Sequence, residues 1–142
     1  NLLMNMNLEK WNTYKIFTFI RDPINRLISG YNYSKNNNKY KNLNFQLFYN
    51  NSFKLNCWTY WHCFMPQIRH IVNENNNNVC FFIGNQKNME EDLKKLLKYF
   101  KLKIIHQSYI KNKSKTNNII EYDEEELKKK YEEDYTRLKE YL

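Results

Sequence analysis

The apolar residues of this chain fall into short blocks of two different periods. Residues 14–20 (YKIFTFI) form an aromatic and β-branched run that stops at a charged pair, Arg21 and Asp22, the pattern of a strand buried in an α/β sheet. The period then changes. Projected at about 100° per residue, Ile24, Leu27, Ile28 and Tyr31 share one sector of a helix, and Asp22, Asn25, Arg26 and Ser29 share the opposite one. One face is expected to pack on the sheet while the other presents hydroxyl and guanidinium groups. Asp22 is a natural N-cap and Pro23 a natural first helical residue, and the helix should end near Ser34, where an Asn/Lys-rich stretch begins.

The same reading predicts a short helix over 44–50 (NFQLFYN) and an aromatic segment over 58–72 interrupted at Pro66. A second strand is expected at 79–83 (VCFFI), closed by Gly84, and an amphipathic helix over 88–100, with acids in its first turn and lysines later, matching the helix dipole. A third, weaker strand is placed at 102–106. Leu127, Tyr131, Tyr135 and Leu138 recur at spacings of four, four and three, which predicts one helix over 122–141. Strands alternating with helices give an α/β class, a mostly parallel sheet flanked by helices, in one domain spanning residues 1–142. Its expected core is Ile16, Phe17, Phe19, Ile20, Leu27, Ile28, Phe81, Ile83, Leu93, Leu96 and Leu97.

Composition narrows this picture in three ways. With 142 residues, 42% hydrophobic and 17% aromatic, the chain suits one folded domain with a modest core better than a disordered segment. Its charge of +8 is unevenly spread, since residues 1–70 hold nine Lys/Arg against two acids, Glu9 and Asp22, so an anionic partner fits there as well as a plain basic surface does. Asn runs such as 36–38 and 75–78 read as loops without chemistry. Cys57, Cys63 and Cys80 have neither metal-ligand spacing nor an even count, so no metal site is indicated. Buried free thiols are expected, with a bond from Cys57 or Cys63 to Cys80 as the alternative. No apolar run reaches the length of a membrane span.

Candidate chemistry concentrates where the first strand meets its helix. Arg21 stands at the carboxyl end of a predicted strand, where open α/β sheets bind ligands, and the helix N-terminus beside it offers free N–H groups and a positive dipole. A guanidinium is a planar fork of donors that keeps its charge at neutral pH, so the joint suits a phosphate. The plain alternative is an ion pair between Arg21 and Asp22 or a helix carboxylate, with Ser29 a small packing residue.

FTFIRDPINRLISGYNY, residues 17–33, closely resembles the 3′-phosphate-binding segment of the sulfotransferases, the carbohydrate (Golgi-type) family in particular: an aromatic strand, Arg-Asp-Pro, then Arg, Ser and Tyr at these spacings. Three further pieces resemble the family in order. MPQI at 65–68 is similar to its Pro-Gln segment, FFIGNQKNMEEDLKKLL at 81–97 to its Phe-Ile-Gly strand and acidic helix, and YEEDYTRLKEYL at 131–142 to its closing helix.

The resemblance implies an enzyme that transfers a sulfuryl group from 3′-phosphoadenosine 5′-phosphosulfate to a hydroxyl of a carbohydrate acceptor, without a metal. Carried over by position, Arg21 and Ser29 bind the 3′-phosphate, Arg26 takes a secondary role at the nucleotide site, and Tyr31 belongs to the apolar face. His62, in YWHCFMPQ, lies near the position of a family histidine and is the catalytic candidate, against a histidine satisfied within an aromatic cluster. Trp58, Tyr60 and Trp61 are expected in the core, with stacking on a sugar ring as the alternative. The family's other nucleotide element, a Pro-Lys/Gly-Thr loop, has no counterpart here, since the only glycines are Gly30 and Gly84. That departure, and a first residue that is not methionine, imply the carboxyl-terminal part of a longer enzyme or an inactive relative of the same fold. A basic nucleic-acid-binding module is the remaining reading, and no recognised nucleic-acid motif accompanies the charge. By resemblance, the compartment is the Golgi lumen for a eukaryotic chain with an upstream anchor, and the cytoplasm for a bacterial or viral one.

Overall fold

The computed structural model describes residues 13–35, 42, 44–52, 64–103 and 120–142. Two strands, β1 (Phe17–Ile20) and β2 (Phe82–Asn85), pair in parallel with Phe17 opposite Phe82 and Ile20 opposite Asn85. Helices flank this pair, so the chain is α/β with a parallel sheet. β1 starts later than the apolar run does, because Tyr14 and Lys15 are exposed and β2 has no residue opposite them.

β2 is displaced from its expected place. Residues 78–80 turn back on the preceding segment instead, where Val72 bridges Asn78 and the Val79 N–H donates to the Ile71 carbonyl at 2.9 Å. The turn between them is built from the Asn run: Asn73 Oδ1 accepts the main-chain N–H groups of Asn75 and Asn77, and Asn76 sits at φ 64°, a conformation asparagine tolerates better than most residues. The Asn run is therefore a structured turn as well as a loop. Gly84, expected to end the strand, lies inside it opposite Phe19, and a Cβ there would come within 2.6 Å of the Phe19 ring. Gly84→Ala is expected to cost about 1–2 kcal/mol, the usual penalty for overpacking. Phe19→Leu in the same chain should recover part of it. Thermal melts of the two variants check this, and an unchanged melt for Gly84→Ala would show that the ring yields freely.

Helix α1 (Pro23–Lys35) begins as the sequence predicts: Asp22 Oδ1 accepts the Asn25 N–H at 2.8 Å and its carbonyl the Arg26 N–H at 2.9 Å. Asn44 caps α2 (Phe45–Ser52) in the same way, through the Leu47 N–H at 2.8 Å. The apolar face of α1 does not pack on the sheet as expected. Ile24, Leu27 and Tyr31 are buried against Phe45, Phe48, Tyr49 and Phe64, together with Leu127 and Tyr131 from the tail. Aromatic geometry favours this packing, since Tyr31 meets Phe45 and Phe48 at centroid distances of 5.3 and 5.1 Å, and the two described strands offer no comparably wide surface.

A second cluster joins Ile20 to Ile68, Ile71 and Leu138, with Cys80 and Ile83 partly buried beside it. Of the expected core, Ile20, Leu27 and Leu96 are buried, whereas Phe17 and Phe81 are 50% and 40% exposed. Phe17 and Phe81 stand at the entry of the strands, beyond the reach of either cluster. Helix α3 (Met89–Tyr99) carries Glu90, Glu91 and Asp92 in its first turn, as predicted. Lys101 at φ 55° ends it, and the Leu102 N–H bonds back to the Leu97 carbonyl. Residues 102 and 103 form no strand, and the rest of that expected strand lies outside the described residues.

The expected tail helix is divided. Asp123 caps α4 (Glu124–Lys130), α5 follows (Glu132–Arg137), and a 3-10 turn closes at Lys139–Tyr141. The break falls at Tyr131, at φ −107° and ψ 21°. It lets one apolar stripe serve two clusters, because Leu127 and Tyr131 enter the first and Leu138 the second.

Candidate functional site

Arg21 immediately follows β1, and its main chain is held from across the fold. Its N–H donates to Gln67 Oε1 at 3.0 Å, and its carbonyl accepts from Gln67 Nε2 at 2.6 Å. A carboxamide presents an N–H donor beside a carbonyl acceptor, the pair of groups that a main-chain amide offers, so Gln67 pairs with Arg21 as a neighbouring strand would. Gln67 is itself fixed. It opens a 3-10 turn (Gln67–His70) after Pro66, and the N–H groups of Gln67 and Ile68 each donate to one oxygen of the Asp134 carboxylate at 2.8 Å. Asp134 is completely buried.

The next residue of the tail reaches the other half of the joint. Tyr135 donates its hydroxyl proton to Asp22 Oδ2 at 2.9 Å, while Asp22 Oδ1 is occupied by the α1 cap. Asp134 and Tyr135 thus set Arg21 and Asp22 together, one through Gln67 and one directly. Both carboxylate oxygens of Asp22 have partners, and Arg21 forms no ion pair among the described residues. The plain alternative of an Arg21–Asp22 pair is therefore not what the structure holds. Arg21, itself half-buried, stands at the carboxyl end of a parallel strand, beside the N-terminus of a thirteen-residue helix.

Ser29 lies half-buried on α1, with no side-chain hydrogen bond among the described residues. Arg26 donates from Nη1 to the Met65 carbonyl at 2.8 Å, which ties α1 to the stretch that leads into Pro66 and Gln67. It also borders a cavity of about 360 Å³ between β1 and the 3-10 turn, along with Thr18, Gln67 and His70. His62, Cys57, Cys63, Trp58, Tyr60 and Trp61 lie outside the described residues. Cys80 is a free, partly buried thiol, and burial raises its pKa. No group of three or more His, Cys, Asp or Glu is placed to hold a metal ion among the described residues.

Gln67 and Asp134 are the positioning residues that sequence reasoning missed. Each left a signal: Gln67 stands in the Pro-Gln segment, and Asp134 lies between Tyr131 and Leu138 on the stripe that faces inward. A carboxylate on a buried stripe needs donors, and two main-chain N–H groups supply them.

Two partly buried phenols, Tyr135 in this frame and Tyr49 in the α2 cluster, have raised pKa values. Burial and then Asp22 push the Tyr135 pKa up, and burial with Glu126 pushes Tyr49 up from 10.0 to about 12. A raised phenol pKa contributes stability that is complete below the unfolded value near 10. Above it the unfolded chain releases protons that the folded chain keeps, so stability falls as pH rises from about 10 toward 12. Urea midpoints should drop between about pH 9 and about pH 11, and drop less in Tyr49→Phe and Tyr135→Phe. A wild-type midpoint that stays level across that interval would contradict the assignment.

A family model described as the sulfotransferase family matches residues 3–142. The chain belongs to the sulfotransferase family, and sulfuryl transfer in general is the chemistry that membership supports. No curated protein and no solved structure matches the chain.

Proposed function

We propose that this chain transfers a sulfuryl group from 3′-phosphoadenosine 5′-phosphosulfate to a hydroxyl of a carbohydrate acceptor, holding the donor's 3′-phosphate between Arg21 and Ser29. One observation carries the reading: the Arg21 guanidinium has no ion pair among the described residues, while its main chain is locked in place by Gln67. Such a cation, fixed beside a helix N-terminus, fits a dianionic phosphate.

The bound nucleotide supplies the sulfuryl group. Arg21 offers two parallel N–H donors and neutralises charge, and Ser29, two turns along α1, offers a hydroxyl. Arg26 keeps the Met65 carbonyl, and with it the Pro66–Gln67 turn, against α1. Their contribution is positioning and preorganised charge: donors set before binding do not have to be reorganised during transfer.

The test is a thermal-shift titration with adenosine 3′,5′-bisphosphate beside adenosine 5′-monophosphate, followed by transfer from labelled donor to a glycan panel. A site filled at about a hundredfold excess over its Kd should add roughly 2.7 kcal/mol of stability. Stabilisation by the bisphosphate and not the monophosphate supports the reading. Equal response to both, or to neither, removes it.

A further inference from the structure

At the end of the strands opposite Arg21, the surface carries apolar groups that the fold does not use. Phe81, just ahead of β2, meets Tyr99 and Phe100 at the end of α3 with ring centroids 4.5 and 6.2 Å apart, and Tyr99 and Phe100 stand at 90° to each other. The ammonium of Lys15 lies 5.3 Å from the Phe81 ring centre. Exposure is 40% for Phe81, 57% for Tyr99 and 37% for Phe100, and Leu102, which follows in the chain, is 59% exposed. A contiguous exposed apolar patch of this kind marks an interaction site.

Its rim is basic. Lys98, Lys101 and Lys103 alternate in sequence with these apolar residues, are exposed, and have no ion pair among the described residues. Earlier in the same helix the lysines are neutralised, Lys94 by Glu90 at 3.0 Å and Lys95 by Asp92 at 2.8 Å. In this stretch the lysines without an ion pair are those adjacent in sequence to the rings and Leu102.

We propose that this patch docks on the surface of an anionic lipid bilayer, with Tyr99, Phe100 and Leu102 entering the headgroup boundary and the lysines facing lipid phosphates and carboxylates. Rings, an aliphatic side chain and a lysine rim together form the pattern of interfacial binding. A single-stranded nucleic acid or a sugar chain needs open ring faces. Phe81 already has Lys15 over it and Tyr99 against it, while Tyr99 and Phe100 are perpendicular, so the three make a knob instead of a stacking platform. A second copy of the chain would set lysine against lysine across the two-fold axis. The proposed contact is peripheral, made by exposed side chains at the end of α3, and no described helix is long and apolar enough to cross a membrane. It also orients the molecule: the parallel strands separate Lys15 from Arg21 by roughly 20 Å, which holds the Arg21 joint away from the bilayer. The proposal does not depend on which donor or acceptor the joint takes.

The experiment is co-sedimentation of the full chain with phosphatidylcholine vesicles, with and without phosphatidylserine, with heparin and a single-stranded oligonucleotide as soluble probes. Binding is expected only with phosphatidylserine present. Lys98→Gln/Lys101→Asn/Lys103→Gln should weaken it by about a hundredfold, about fivefold for each lysine. Asparagine at 101 accepts the left-handed backbone there. Phe100→Ser/Leu102→Ser should weaken it by about tenfold or more. Circular dichroism and melting establish that the variants stay folded, as expected for exposed positions. No vesicle binding by the folded wild type would overturn the proposal. So would binding to heparin or the oligonucleotide without vesicles, which would assign the patch to a soluble polyanion. Undiminished binding in the Phe100/Leu102 variant would also overturn it, by showing that the rings stay out of the bilayer.

Discussion

Arg21→Ala is expected to bind adenosine 3′,5′-bisphosphate about a hundredfold more weakly than the wild-type chain, the effect of losing charge-assisted donors to a phosphate. Its stability should change by less than about 1 kcal/mol. The two results separate because the anchoring of Arg21 is a main-chain matter. Gln67 holds its N–H and carbonyl, and neither bond involves the guanidinium that the substitution removes. Arg21→Lys keeps the charge but not the fork of donors, and should sit between the two, about tenfold weaker than wild type. Ser29→Ala removes one hydroxyl donor to a charged phosphate and should cost roughly tenfold or more. Calorimetric titration and urea denaturation of the same preparations give both quantities. A loss of roughly 3–5 kcal/mol in stability for Arg21→Ala would mean that the guanidinium holds a buried ion pair, and the phosphate reading would fail. Unchanged affinity would have the same consequence.

What the sequence disclosed and what it concealed divide along physical lines. The β1–α1 joint was legible because each of its parts is a local preference: Asp22 caps its own helix, Pro23 suits a first turn, and Arg21 ends an apolar run. α2 and α4 also start on local caps, Asn44 and Asp123, which the apolar pattern does not single out. Partners distant in the chain were not legible. Nothing near residue 24 says that the apolar face of α1 leaves the sheet to meet Phe45, Phe48 and Tyr131, because amphipathic period gives a face and not its partner. In the sequence Gly84 simply closes an apolar run, and only the register of β1 on β2 shows it lying under Phe19. The break at Tyr131 likewise follows from two clusters that one stripe must serve. Gln67 was visible only as part of a resemblance, since its partners, Arg21 and Asp134, lie 46 and 67 residues away.

That distance makes the second large prediction a test of the whole frame. Asp134→Ala is expected to lower stability by roughly 3–5 kcal/mol, from two charge-assisted hydrogen bonds and the burial of the N–H groups left behind. The side chain is 0% exposed, and both of its bonds are 2.8 Å long. Against a total stability of about 5–15 kcal/mol, this is a large share. Asp134→Asn can accept one of the two N–H groups but turns a donor toward the other, so it should recover only part of the loss. The effect should also reach the proposed phosphate site at Arg21 without touching it. Freed from Asp134, the 3-10 turn no longer holds Gln67 to the Arg21 main chain, and bisphosphate affinity should fall even at temperatures where the variant is folded. Gln67→Ala acts on the same route, so the double variant should lose less than the sum of the single losses. Denaturant titrations of the four chains measure that coupling directly. An Asp134→Ala loss below about 1 kcal/mol, or strict additivity with Gln67→Ala, would show that the tail and the joint are held independently, and that Arg21 owes its position to β1 alone.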